Sequence, residues 1–259
     1  MIAAAAVLLV LFIMWDVFKP APRPLPPEPE VVVTPPPAAP TSSSQGTAAP
    51  ATPSTTPGSA AREPTYTDLL ARAEARRRIR ASAGSTYLND ILAASGDSML
   101  RRWDDRVTRP VRVWFAPTFA ANFQPAFLDA IRSAFAEWSS AAVPVRFDLS
   151  GDSTDAEVTF RWKPQFEIER TGQTDLTWDQ DGRIQTAVVT LATFDPKGRA
   201  MDADDIRVVA IHEIGHVLGL DHSPDSTDLM FPTAKVRALS DRDVRTAQLL
   251  YQLSPGSLR

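Results

Sequence analysis

Apolar positions along this chain recur with two different periods, and the changes of period mark out its elements. Val111, Val113 and Phe115 alternate with Arg112 and Trp114, the two-residue period of a strand over 111–115. After Pro125, which suits the first turn of a helix, Phe127, Ile131, Phe135 and Trp138 recur at helical spacing. That stripe reads as core rather than as a ligand site. Two more strand candidates, 145–149 and 157–162, are parted by a Gly-Asp-Ser loop, and the β-branched run 184–192 is a third. The stretch 172–182 is polar and reads as a loop, with Asp175, Asp179 and Asp181 in it. Asp195-Pro196-Lys197-Gly198 is a turn. A helix over 203–218 follows, with Asp202, Asp204 and Asp205 placed where the helix dipole favours acids and Val208, Val209 and Ile211 packing inward. The last helix starts at Ser240, whose hydroxyl can cap it, with Asp243 three residues on, and runs through Val244, Ala247, Leu250 and Tyr251.

The first hundred residues have another texture. Met1 to Trp15 is unbroken apolar sequence, short for a spanning helix, which needs about 20 such residues. It lacks the basic start and small-residue cleavage site of a signal peptide, so an uncleaved anchor over 1–19 is expected ahead of a cleaved signal. Lys19 and Arg23 favour a cytoplasmic downstream side. Thirteen of the 23 prolines fall between Pro20 and Pro57, which predicts a disordered, semi-extended spacer over 20–62 rather than a folded unit. A tether is the plain reading and a proline-rich partner ligand the sharper one. Over 65–81 a helix is predicted, capped by Thr67 or Asp68, with Leu69, Leu70, Ala73 and Ile79 as apolar positions and five arginines on a solvated face. A second helix is predicted over 87–103. Together they form a helical extension, 63–109, packed on a main domain over 110–259.

Composition narrows the chemistry. A net charge of −4 offers no electrostatic case for nucleic acid, and a monomer is expected. There are no cysteines, which removes disulfides and thiolate metal ligands. All three histidines lie in one segment, His212-Glu213-Ile214-Gly215-His216-Val217-Leu218-Gly219-Leu220-Asp221-His222. On a helix His212 and His216 share a face, with Cβ atoms about 6 Å apart. Gly219 can end the helix in a left-handed conformation, letting the chain turn and bring up His222. Three nitrogen donors are the set of a catalytic zinc site, and Glu213 beside the first can act as general base. Chance produces this pattern about once in 10⁵ chains of this length. The bland alternative is a core helix whose histidines merely hydrogen-bond.

The pattern His-Glu-x-x-His-x-x-Gly-x-x-His is the metzincin signature. With Ser223 after the third histidine, Met230 eight residues past it and Pro232 two residues further, the segment 212–232 resembles the matrixins, the subgroup of the matrix metalloproteinases. The ending Leu239-Ser240-Asp241-Arg242-Asp243 with Leu250-Tyr251 resembles their last helix. The resemblance covers about 110–253. It implies an α+β fold with a twisted, mostly parallel five-stranded sheet and three main helices, and a cleft where a peptide adds to a sheet edge. It further implies one catalytic zinc on His212, His216 and His222, Glu213 as base, Met230 in a supporting turn, and Phe231 and Pro232 near the substrate pocket. Protein substrates and an extracytoplasmic catalytic domain, membrane-anchored or secreted, follow from it. Three histidines leave no ligands for a second zinc, and no thiolate switch can operate. Latency must then be steric or use a carboxylate such as Asp90 or Asp97. Calcium at Asp175, Asp179 and Asp181 is the alternative to a solvated loop. Against the peptidase stand an inactive zinc-bearing peptide-binding module and a thermolysin-like enzyme; Glu213 opposes the first, and Gly219 with His222 the second.

Overall fold

A computed structural model describes residues 64–104 and 106–259. The expected anchor or signal segment, 1–19, and the spacer, 20–62, lie outside them. Among the described residues no helix is long and apolar enough to cross a membrane.

Five strands form one mixed sheet in the order β3-β2-β4-β6-β5. They are β2 (Arg106–Phe115), β3 (Val145–Asp148), β4 (Val158–Lys163), β5 (Gly172–Trp178) and β6 (Ile184–Ala192). All neighbours are parallel except β5, which runs antiparallel to β6. Strands β3 and β5 are the edges. Val111, Val113, Val158, Phe160, Val189 and Leu191 are buried at alternate positions of the central strands, the two-residue period read from the sequence over 111–115.

Helix α3 (Ala126–Ser140) buries the predicted stripe of Phe127, Ile131, Phe135 and Trp138. It packs on α4 (Ala203–Val217), and the Trp138 indole donates to Ile211 O at 2.8 Å. The start of α4 is a reciprocal cap: Asp202 accepts from Asp205 N while the Asp205 side chain reaches back to the cap backbone. Ser240 and Asp243 do the same for α5 (Asp241–Tyr251).

The extension departs from the sequence reading in three ways. Helix α1 (Tyr66–Ala81) is capped by Thr65, not by Thr67 or Asp68, because the Thr65 side chain is the one that reaches the Asp68 N–H. Its buried residues are Ala75 and Ile79, whereas Leu69 and Leu70 are about half exposed. Three of its arginines are partly covered by residues 252–259 rather than wholly solvated. Arg72 and Arg76 donate to the carbonyls of Arg259 and Leu258, and Arg78 to Gln252 Oε1 at 2.6 Å. Finally, 87–103 is not one helix. Helix α2 (Leu88–Ala94) is short; Ser98 then turns at φ 52°, and β1 (Met99–Leu100) pairs with β7 (Gly256–Ser257). Leu100 and Trp103 are buried, but from chain that is not helical. The extension shares one core with the sheet and helices, through Ile79, Tyr87, Leu88, Leu100 and Trp103.

Segment 172–182 is the other correction. Its first part is the edge strand β5, a strand because its backbone pairs along the length of β6 and not because its own residues are apolar. Asp179 and Asp181 sit at the following turn. Asp179 accepts from the backbone of Asp181 and Arg183, and Asp181 pairs with the Arg183 guanidinium. They do not gather with Asp175 into a metal-type cluster.

Candidate metal centre

Helix α4 carries His212 and His216 on one face, and Gly219, at φ +97°, ends it. A side chain at Gly219 would overlap Arg101 O, so glycine serves both the left-handed turn and a close approach of the extension. The chain then returns with His222. One ring nitrogen from each histidine lies within 4.8 Å of the others.

Proton placement follows from the partners. His212 Nδ1 is 2.8 Å from Leu229 O and His216 Nδ1 is 2.8 Å from Leu220 O. Carbonyls only accept, so each Nδ1 carries the hydrogen. Burial, the leading cause, holds His212 down at about 4 and His216 at about 3, and lowers His222 too, so the rings are neutral at pH 7. Both Nε2 atoms therefore present lone pairs, and they face each other at 3.2 Å. Two lone pairs at that distance repel unless a cation sits between them. Tetrahedral nitrogens about 2.05 Å from zinc are about 3.3 Å apart, so the His212 and His216 pair is spaced for such an ion, with a His222 nitrogen within 4.8 Å to complete the donor set. With that proton placement the His212 and His216 rings do not hydrogen-bond to each other; their hydrogen bonds go to the backbone carbonyls of Leu229 and Leu220.

Glu213 points from α4 towards β5. It is 5% exposed, and burial, the leading cause, pushes its carboxyl up to about 7 against the opposing pull of a Thr174 hydrogen bond and the Arg170 charge. Thr174 Oγ1 donates to Glu213 Oε2 at 2.6 Å. Nothing in a stretch read as loop pointed to Thr174.

Met230 is fully buried under α4. A methyl at Gly215 would overlap the Met230 sulfur, so the methionine reaches this close to the helix because a glycine stands between the two histidines. The loop 223–230 is held from both ends. Ser223 N–H donates to Met230 O at 2.8 Å, and Ser223 Oγ donates to the buried Asp228 at 2.5 Å. Asp243, also buried, accepts from Leu229 N–H at 2.8 Å, Ser240 N–H at 2.9 Å and Tyr87 O–H at 2.9 Å. Sequence marked Asp243 only as a helix cap.

The histidines and Glu213 open into a cleft of about 930 Å³ bounded by β5 on one side and by Pro232 and Thr233 on the other. Phe231 is not among the residues lining it; its ring lies 5.3 Å from Lys235 Nζ. Asp90 and Asp97 are also outside the cleft, and Asp97 pairs with Arg101. On the side of β5 that faces β6, Thr171 O just before the strand accepts from Ala192 N–H. Antiparallel alternation then turns the backbone groups of Gly172, Thr174 and Leu176 outward, away from β6.

Comparison with known proteins bears on this arrangement. The matrixin family model matches residues 118–252, just over half of the 259-residue chain. Metalloendoproteinase 1-MMP of Arabidopsis thaliana is 32% identical over 142 residues, 48% of this chain and 37% of that protein. Metalloendoproteinase 4-MMP of the same plant is 47% identical over 58 residues, 21% of this chain and 17% of its own length. Macrophage metalloelastase of Oryctolagus cuniculus is 49% identical over 49 residues, 17% of this chain and 11% of the elastase. The chain thus covers little more than a third of the relative it matches most extensively here.

Proposed function

The chain belongs to the matrixin family, and from that premise we propose that it is a zinc-dependent endopeptidase cutting extended segments of proteins. The observation that carries this reading is the pair of unprotonated Nε2 atoms of His212 and His216, 3.2 Å apart beside His222 and Glu213. His212, His216 and His222 would hold one zinc, and three protein donors are the number of a catalytic rather than a structural site. When bound there, zinc supplies a Lewis acid that polarises the scissile carbonyl and acidifies water. Glu213 takes the proton of the attacking water and delivers it to the leaving amine; a carboxyl held at about 7 suits both transfers near neutral pH. Met230 and Gly219 keep the histidines in place, one beneath the helix and one at its end. A peptide would add to the open edge of β5 as an antiparallel strand, with the wall at Pro232 receiving a side chain.

The helical extension 63–109 and the domain 110–259 would work as one unit. Residues 1–19, as anchor or signal, and the spacer 20–62 would place that unit outside the cytoplasm as a monomer.

The test compares the wild type with Glu213→Gln for bound zinc and for cleavage of an unfolded protein. Zinc in both, with cleavage lost by about 100-fold or more in the variant, is expected. Zinc in both and cleavage by neither would point instead to the inactive binding module.

A further inference from the structure

A glutamate that acts as base must hold one oxygen towards the reacting water, yet its side chain has three rotatable bonds and freezing them costs entropy. In this site the strand beside the helix supplies the constraint. Thr174 Oγ1 donates to Glu213 Oε2 at 2.6 Å and lies 3.2 Å from Glu213 O, so the hydroxyl sits against both ends of the residue. The other oxygen, Oε1, lies over Gly172. A Cβ built at Gly172 would overlap that oxygen and approach the Glu213 carboxyl carbon at 2.8 Å. The carboxylate is therefore wedged: one oxygen is tied to Thr174, and the other occupies the space left by a missing side chain.

Position in the strand gives Thr174 a second connection. Its side chain faces α4, while its backbone N–H and C=O belong to the set turned outward along the open edge of β5. The residue that orients the carboxylate thus stands on the edge where a peptide would pair.

We infer that Thr174 is a positioning residue for the reaction: its hydroxyl locks the Glu213 carboxylate in its working orientation, with Gly172 keeping the room that orientation needs. This rests on the reading of Glu213 as general base. Losing one hydrogen bond to a charged group is expected to lower kcat by about 10- to 100-fold.

The experiment uses the full chain and a fluorogenic peptide taken from a site that the wild type cuts in an unfolded protein. Thr174→Val, Thr174→Ser, Gly172→Ala and Glu213→Gln are compared with the wild type, with rates normalised to bound zinc and folded fraction. Expected are a fall in kcat for Thr174→Val with KM within about 2-fold, near-recovery in Thr174→Ser, and a kcat defect in Gly172→Ala although the hydroxyl is intact. Full activity in Thr174→Val, a serine variant as impaired as the valine one, or a loss accounted for wholly by lost zinc or folding would each overturn the inference. Glu213→Gln separates the two levels. If it is inactive while Thr174→Val is normal, only the role of Thr174 falls. If it cuts like the wild type, the base assignment itself falls, and the inference with it.

Discussion

At the scale of single residues, the histidines show how a sequence motif becomes a chemical state. Spacing placed three rings together, but the carbonyls of Leu229 and Leu220 decide which nitrogen carries the proton. Those acceptors come from a turn and from the chain just past the helix, so no spacing rule names them. Their consequence is measurable in the metal-free protein. Unfolded histidine titrates near 6.5, while His212 and His216 titrate at about 4 and 3 when folded. Below pH 6.5 the unfolded chain therefore binds protons that these two folded rings refuse, so they lower stability as pH falls towards 3. Together they outweigh Glu213, whose carboxyl at about 7 takes up its proton first in the folded chain and acts the other way. The melting temperature of the metal-free protein should drop between pH 7 and 4.5, and the drop should be shallower in His216→Gln. Parallel curves for the two proteins would show that burial of this ring does not set the dependence.

Among the elements, α3 and α4 were readable because each carries enough apolar or acidic residues at helical spacing to define its face and its start. Strand β5 was not. Gly172, Gln173, Thr174 and Asp175 are a loop-like composition, and only the ladder to β6 makes them a strand. That misreading hid the part of the site a substrate would touch. If a peptide pairs with the outward groups of Gly172, Thr174 and Leu176, its own N–H groups alternate between bonded and free. Moving a single N-methyl group stepwise along a peptide substrate should then give a two-residue rhythm in kcat/KM, with losses of about 10-fold at the bonded positions. Uniform losses at every position would count against strand addition. The arginines of α1 make a related point: Arg72, Arg76 and Arg78 look like a solvated run until the C-terminal carbonyls and Gln252 are placed beneath them.

For the molecule as a whole, the main question is whether the extension is an accessory or a part of the machine. Trp103 donates to Val217 O at 2.8 Å, Arg101 O packs on Gly219, and Tyr87 reaches Asp243, which in turn holds Leu229 N–H. Leu229 O is the carbonyl that orients His212, so contacts run from the extension to the metal centre. Removing the buried side chains Ile79, Tyr87, Leu88, Leu100 and Trp103 forfeits roughly 10 kcal/mol of burial, comparable with the whole stability of a domain. A chain trimmed to begin at Arg109 should accordingly lose its cooperative melting transition and its bound zinc, rather than gain activity as a released enzyme would. A soluble, zinc-loaded trimmed protein with raised activity would restore the idea of an inhibitory extension. By itself the sequence determined the candidate donor set, the proposed base, the glycine that ends the helix and the family, because these depend on residue type at short spacing along one helix and turn. Only the tertiary structure decided which ring nitrogens are left without a hydrogen, that residues 172–178 form the open edge, and that Thr174, Asp243 and the extension pack around the candidate site. Those contacts join residues far apart in the chain, and only packing and backbone pairing bring them together.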